Sequence, residues 1–181
     1  SRLTVELLPP METTLELAIF TQTHQELTAL TARGGKRLFL PNLAVLEGSG
    51  GYLFRVRSTE PGMPKETYGL KVTNESLEER VELEPDNHAE NAHRLLWEVP
   101  LSGWLSHSGD VDWFHLEPNS EWGLDDDGKP TQPALHLVLG GVPGIDLVLE
   151  IYDADQESLI ARYDVRSKGE GETAPNLAVP E

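Results

Sequence analysis

A chain of 181 residues with 38% hydrophobic and 25% charged residues has an ordinary globular composition, long enough for one large domain or two small ones. Its 31 acidic residues against 14 lysines and arginines leave a formal charge of −17, which repels phosphate backbones and anionic lipid, so nucleic-acid binding is not expected. No run approaches the roughly 18 apolar residues of a membrane helix, the Ser1-Arg2-Leu3 start lacks a signal-peptide pattern, and the absence of cysteine excludes disulfides, thiolate nucleophiles and Cys-based zinc sites.

Apolar residues alternate with period two in Leu3–Leu7, Leu15–Ile19, Tyr52–Val56 and Tyr68–Val72, which predicts half-buried antiparallel strands. Further strands are expected at Leu101–Leu105, Val111–Leu116, Leu135–Leu139, Ile145–Tyr152 and Leu159–Tyr163. Turn residues separate them at Pro9-Pro10, Gly48–Gly51, Gly109-Asp110 and Gly140-Gly141. Two stretches have helical character: Glu75–Glu82, too polar to dock, and His88–Leu96, with room for about two turns. The fold class expected is all-β, an antiparallel sandwich.

An internal repeat organises these elements. Leu3–Leu30 matches Leu135–Arg162 without a gap at a spacing of 132 residues, so that Leu3, Val5 and Leu7 fall on Leu135, Leu137 and Leu139. Leu15, Leu17, Ile19 and Leu27 likewise fall on Leu147, Leu149, Ile151 and Leu159. Pro41-Asn42-Leu43-Ala44-Val45 recurs identically as Pro175-Asn176-Leu177-Ala178-Val179, at a spacing of 134. This reads as a tandem repeat: residues 1–77 are the later part of one copy, and residues 78–181 the early and middle part of the next. Both copies look cut, and the sheet edges so exposed invite pairing with another chain, including a strand-swapped homodimer.

Between the repeats stand Val81-Glu82-Leu83-Glu84-Pro85-Asp86-Asn87, then Leu101-Ser102-Gly103-Trp104-Leu105, then Gly109-Asp110-Val111-Asp112-Trp113-Phe114. This order resembles the bacterial pre-peptidase C-terminal domain, in which an E-x-E-P-N-D-like opening, a G-x-L strand and a G-D-x-D-[WY]-F strand recur at about this spacing. The chain departs from it in having Asp86-Asn87 where Asn-Asp is usual. The resemblance implies a jelly-roll-like β-sandwich of secreted bacterial proteins, related to the collagen-binding domains of clostridial collagenases, that binds or assists and does not hydrolyse.

Asp110 and Asp112 share one face of a regular strand, and Glu82, Glu84 and Asp86 lie on the preceding acidic segment. Clustered carboxylates attract a cation, and calcium accepts six to eight hard oxygen ligands in flexible geometry. The ligand pool expected is Glu82, Glu84, Asp86, Asn87, Asp110 and Asp112, with the related collagen-binding domains implying calcium at a similar loop. The same acids could instead cap turns and strand ends without a metal.

Other signals carry less. Asp125-Asp126-Asp127-Gly128 does not fit an EF-hand register, and Asp153, Asp155 and Glu157 fall on Thr21, Thr23 and Gln25 in the first copy. His88 and His93 lack a zinc-protease spacing, and Ser102, Ser106, Ser108, His107 and Asp110 lack a nucleophile elbow. Gly48–Gly51 lacks the lysine and helix of a phosphate loop. Trp104 and Trp113 read as core and Trp122 as exposed. The expectation is therefore a non-catalytic, extracellular or periplasmic module recognising a protein, peptide or matrix polymer. The alternative is a structural spacer attached to another domain.

Overall fold

A computed structural model describes residues 1–45, 50–61, 66–76, 80–107, 109–117, 127, 134–153, 155 and 158–178. The protein is all-β. Among the described residues the helical structure is one short 3-10 turn, Ala89–Asn91. By contact the chain divides into Ser1–Glu117 and Pro118–Glu181.

In the first unit, β1 (Arg2–Leu8) pairs antiparallel with β4 (Leu38–Ala44) on one side and β6 (Gly69–Glu75) on the other. β2 (Leu15–Thr21) lies likewise between β3 (Glu26–Ala32) and β5 (Tyr52–Ser58). The two three-stranded sheets make a β-sandwich closed on Val5, Leu7, Leu15, Leu17, Ile19, Leu30, Ala32, Leu40 and Leu43. Burying each large aliphatic side chain here is worth about 1.5–3 kcal/mol. The period-two alternation explains which face turns in: Tyr52, Phe54 and Val56 pack against this core, while Arg55 and Arg57 on the outer face pair with Glu16 across the strand.

β4 was not legible from alternation because it is buried on both faces from Leu40 to Leu43. Its pairing with β1 skips from Leu3↔Leu43 to Val5↔Leu40, a bulge that accommodates Pro41 and re-aims Asn42, which is completely buried. Residues 80–117 belong to this first unit, held on β4 by backbone bonds: Ala44 N donates to Glu84 O at 2.8 Å and Glu84 N to Asn42 O at 2.9 Å. That division differs from the sequence boundary at 77/78.

Three local expectations change. The helix expected at His88–Leu96 is the 3-10 turn followed by β7 (His93–Leu95), because these residues pair in parallel with β8 (Phe114–Leu116), and tertiary pairing outweighs a marginal two-turn helix. Leu101–Leu105 forms no strand but a single bridge, Ser102 to Val81. The strand expected over Val111–Leu116 begins only at Phe114, leaving Asp110 and Asp112 in the loop before it.

The second unit has two antiparallel pairs, β9 (Ala134–Val138) with β12 (Thr173–Ala178) and β10 (Leu149–Tyr152) with β11 (Leu159–Tyr163). Its registers run parallel to those of the first. Leu135↔Leu177 and Leu137↔Ala174 correspond to Leu3↔Leu43 and Val5↔Leu40, with the same skip between them, at Pro175-Asn176. In the hairpins, Leu149↔Tyr163 stands where Leu17↔Leu30 stands, so one extra residue lies in the second hairpin and Leu27 corresponds to Ile160 rather than Leu159. Buried Glu172 ties this unit's last loop, accepting hydrogen bonds from Val165 N at 3.0 Å and Arg166 N at 2.8 Å.

Candidate metal centre

The acidic segment Val81–Asp86 is extended and anchored at three points by backbone hydrogen bonds. Glu82 N donates to Ser102 O at 2.9 Å, Glu84 exchanges bonds with the Asn42 and Ala44 backbone, and Trp113 N donates to Asp86 O at 3.2 Å. In an extended chain every second side chain shares a face, which places Glu82 and Glu84 inward, and Asp86, held by Trp113 N beyond Pro85, is buried with them: Glu82 and Asp86 are at 0% exposure and Glu84 at 3%. Asp110 and Asp112 reach the same interior from the loop before β8. Gly103 lines it, since a Cβ there would sit 3.1 Å from Glu82 Cγ and 3.6 Å from Asp112 Oδ2.

The carboxylates are only partly satisfied. Glu82 Oε1 accepts from the Asn42 amide and from Trp104 N at 2.8 Å. Glu84 Oε2 accepts from Asp86 N and Asn87 Nδ2, both at 3.4 Å. Asp110 accepts from Ser106 N and meets His107 Nδ1 at 3.0 Å. Glu82 Oε2, both oxygens of Asp86 and Asp112 Oδ1 are buried without a hydrogen-bond donor. Native proteins rarely leave buried polar atoms in that condition.

Electrostatics follow from this packing. Burial, reinforced by the charges of Asp112, Glu84 and Asp110, pushes Glu82 up to about 8 against the opposing hydrogen bond from Trp104. Burial and the charges of Glu82, Asp112, Glu84 and Asp110 push Asp86 up to about 8. Asp112 rises to about 7 through burial and then Asp110 and Glu84, and Glu84 is raised by burial and then Asp110. A cation among them would reverse every one of these penalties.

All six residues of the expected ligand pool thus lie around one interior, though in different roles. Glu82, Glu84, Asp86, Asp110 and Asp112 interact electrostatically there, whereas Asn87 serves the frame: its Oδ1 accepts from Val111 N at 3.2 Å and its amide supports Glu84. The sequence reading missed Asn42, which orients Glu82, and set His93 aside as a metal ligand. His93, Glu82 and Asp86 each offer a ligand atom within 4.8 Å of the others. His93 Nε2 lies against the Leu83 backbone, 2.6 Å from N and 2.8 Å from O. The repeat of Pro41–Val45 was the available signal for Asn42. Nothing in the spacing of His93 marked it, because the 3-10 turn and β7 bring it in.

Of the signals set aside, Asp155 caps its own turn, accepting from Ser158 N at 3.1 Å and Ser158 Oγ at 3.2 Å. Ser106 Oγ points to Asn42 Oδ1 at 3.4 Å. Asp125, Asp126, Trp122, Gly48 and Ser49 lie outside the described residues. Trp104 is half-buried beneath the Arg2 guanidinium, 4.7 Å from the ring centroid, which ties β1 to the acidic segment. Comparison of the chain with protein-family models, curated proteins and solved structures finds no match.

Proposed function

We propose that this chain is a non-catalytic accessory module whose acidic segment Val81–Asp112 is locked onto the sandwich by a bound calcium ion. The carrying observation is Asp86, completely buried with both carboxylate oxygens lacking a donor and facing Glu82, Glu84, Asp110 and Asp112. Hard carboxylate oxygens from several loops in irregular geometry suit calcium better than magnesium, which demands a near-ideal octahedron. An extracellular or periplasmic setting, where calcium is abundant, would keep such a site loaded.

The motif order Glu-x-Glu-Pro-Asp, Gly-Trp-Leu and Gly-Asp-Val-Asp-Trp-Phe, together with the matching registers of the two units, supports a pre-peptidase C-terminal kind of module present in tandem copies. Exposed Leu8, Tyr68, Leu70 and Val72 at and beside the β6 edge favour recognition of a protein, peptide or matrix polymer over a pure spacer. His93 beside Glu82 and Asp86 favours one rival ion, zinc, whose sites take imidazole.

The test is calorimetric titration of chelator-treated protein with calcium and, separately, with zinc, paired with thermal melting. Calcium at a hundredfold excess over its dissociation constant should stabilise the fold by about 2.7 kcal/mol. A Glu84→Ala, Asp112→Ala variant should lose both heat and shift. Saturable zinc binding with no calcium response would replace calcium by the imidazole-dependent reading, and no response to either ion would reject the metal lock.

A further inference from the structure

Glu82 has one oxygen satisfied and the other bare. Its Oε1 accepts from the Asn42 amide and from Trp104 N at 2.8 Å, while Oε2 is buried without a donor. A carboxylate gripped at one oxygen has its other oxygen aimed, and the aim is only as firm as the donors that grip it. Asn42 is firm, being completely buried at the bulge of β4. Trp104 stands in no strand: the stretch Leu101–Leu105 meets the acidic segment through the single bridge at Ser102, two residues earlier.

The Trp104 side chain supplies the missing anchor. The Arg2 guanidinium lies 4.7 Å from its ring centroid and is itself fixed, since Nε and Nη2 both donate to Glu75 Oε2, at 3.2 and 3.1 Å. Arg2 belongs to β1 and Glu75 to β6, directly opposite in the register, so the cation over the indole is mounted on the sandwich. The sandwich itself does not require an arginine there. In the second unit the corresponding position, opposite Ala178 as Arg2 is opposite Ala44, is Ala134.

Resting on the calcium reading of the site, we propose that Arg2 is a positioning residue of the metal centre: it holds Trp104 so that the Trp104 N–H stays on Glu82 Oε1 and Glu82 Oε2 stays turned to the ion. Gly103 makes the contact close, because the backbone beside Trp104 passes where a Cβ would sit 3.1 Å from Glu82 Cγ. Movement of Trp104 therefore reaches Glu82 directly. The sign of the effect separates positioning from charge. A guanidinium near a cation site repels the ion, so removing its charge alone would tighten calcium, whereas loosening Glu82 weakens it.

The experiment measures calcium affinity by calorimetry, and amide hydrogen exchange by NMR in chelator, on the full chain carrying Arg2→Leu, Arg2→Lys or Arg37→Leu. Leucine leaves the backbone pairing of β1 in place and removes the guanidinium. Arg2→Leu should weaken calcium about tenfold, the lower end of what losing an outer partner of a metal ligand costs. In chelator its Trp104 amide should exchange about tenfold or more faster, while the amides of β2 keep the protection they have in the parent. Arg2→Lys keeps a cation over the ring but not the two-donor hold on Glu75, and should fall between parent and leucine. Arg37→Leu removes an equal charge and a similar stack, 4.8 Å over Phe39 and paired with Glu6, and should neither weaken calcium nor speed Trp104 exchange. Calcium affinity in Arg2→Leu equal to or tighter than the parent's overturns the proposal, as does equal weakening by Arg37→Leu. A lower melting temperature with unchanged affinity makes Arg2 a stabiliser of the sandwich and nothing more. If the parent gives no calcium heat, the calcium reading falls; faster Trp104 exchange in Arg2→Leu then keeps the hold on Glu82, and unchanged exchange rejects that too.

Discussion

Replacing Asp86 by Asn should stabilise the protein in chelator and destabilise it in calcium. Asp86 is completely buried, neither oxygen has a donor, and its carboxyl is pushed up to about 8. At pH 7 the metal-free fold therefore holds it protonated, whereas the unfolded chain ionises it near the ordinary 3.8. Keeping that proton costs the fold up to a few kcal/mol, because the neighbouring acids share the penalty. An asparagine has no charge to suppress, but its amide donors must find acceptors, so a net gain of about 1–3 kcal/mol is expected, a rise of several degrees in melting temperature. In saturating calcium the variant lacks a charged ligand, and its ion-dependent stabilisation should shrink or vanish. Melting curves of both proteins, in chelator and across a calcium series, should cross. An Asn variant that melts lower than the parent in chelator would refute the reasoning, since it would mean that the carboxylate is satisfied in the metal-free fold.

Three further outcomes rest on the same geometry. Because Glu82, Glu84, Asp86 and Asp112 all have carboxyls raised in the fold, the native state binds more protons than the unfolded one between about pH 4 and pH 8, so chelator-treated protein should lose stability steadily as pH rises through that window. Calcium should reverse this slope and its binding should release protons, both measurable by melting and calorimetry across pH. Gly103→Ala places a Cβ 3.1 Å from Glu82 Cγ, on a side chain pinned by Asn42 and Trp104 N, and should lower calcium affinity several-fold while changing chelated stability by less than about 1 kcal/mol, read by titration and melting. Leu17→Ala, at the centre of the sandwich with 0% exposure, should cost about 2–5 kcal/mol by denaturant unfolding.

The parts legible in the sequence were those in which one face of a strand meets water. β1, β2, β5 and β9 alternate, and alternation is what half-burial writes into a sequence; β6 alternates too and is a strand, but Tyr68, Leu70 and Val72 at this edge stay exposed where half-burial was expected. β4 was missed because Leu40–Leu43 is buried on both faces and contains a proline. β7 was mistaken for helix because its three residues owe their conformation to Phe114–Leu116, some twenty positions away. The carboxylates of the site were legible because acids cluster in Glu82–Asp86 and Asp110–Asp112; the strand face expected for Asp110 and Asp112 is a loop, and the inward turn of Glu82 and Glu84 comes from the extended segment pairing with β4. Their partners were not legible: Asn42 and His93 reach the site through a bulge and a turn, and neither leaves a period in the sequence.

The site draws on separate parts of the first unit. Asn42 comes from the sandwich, Glu82, Glu84 and Asp86 from the extended segment, and Asp110 and Asp112 from the loop before β8. Without an ion these parts are held by a handful of backbone bonds, against mutual repulsion of four carboxyls that burial has already made reluctant to ionise. An ion bridging the carboxylates would turn that repulsion into a cross-link between Glu82 and Asp112, some thirty residues apart, with Asn42 tying Glu82 to the sandwich. Buried acids that weaken the empty fold are thus the same groups that would strengthen a loaded one, so under the proposed calcium lock the docking of residues 80–117 on β4 would follow the calcium concentration.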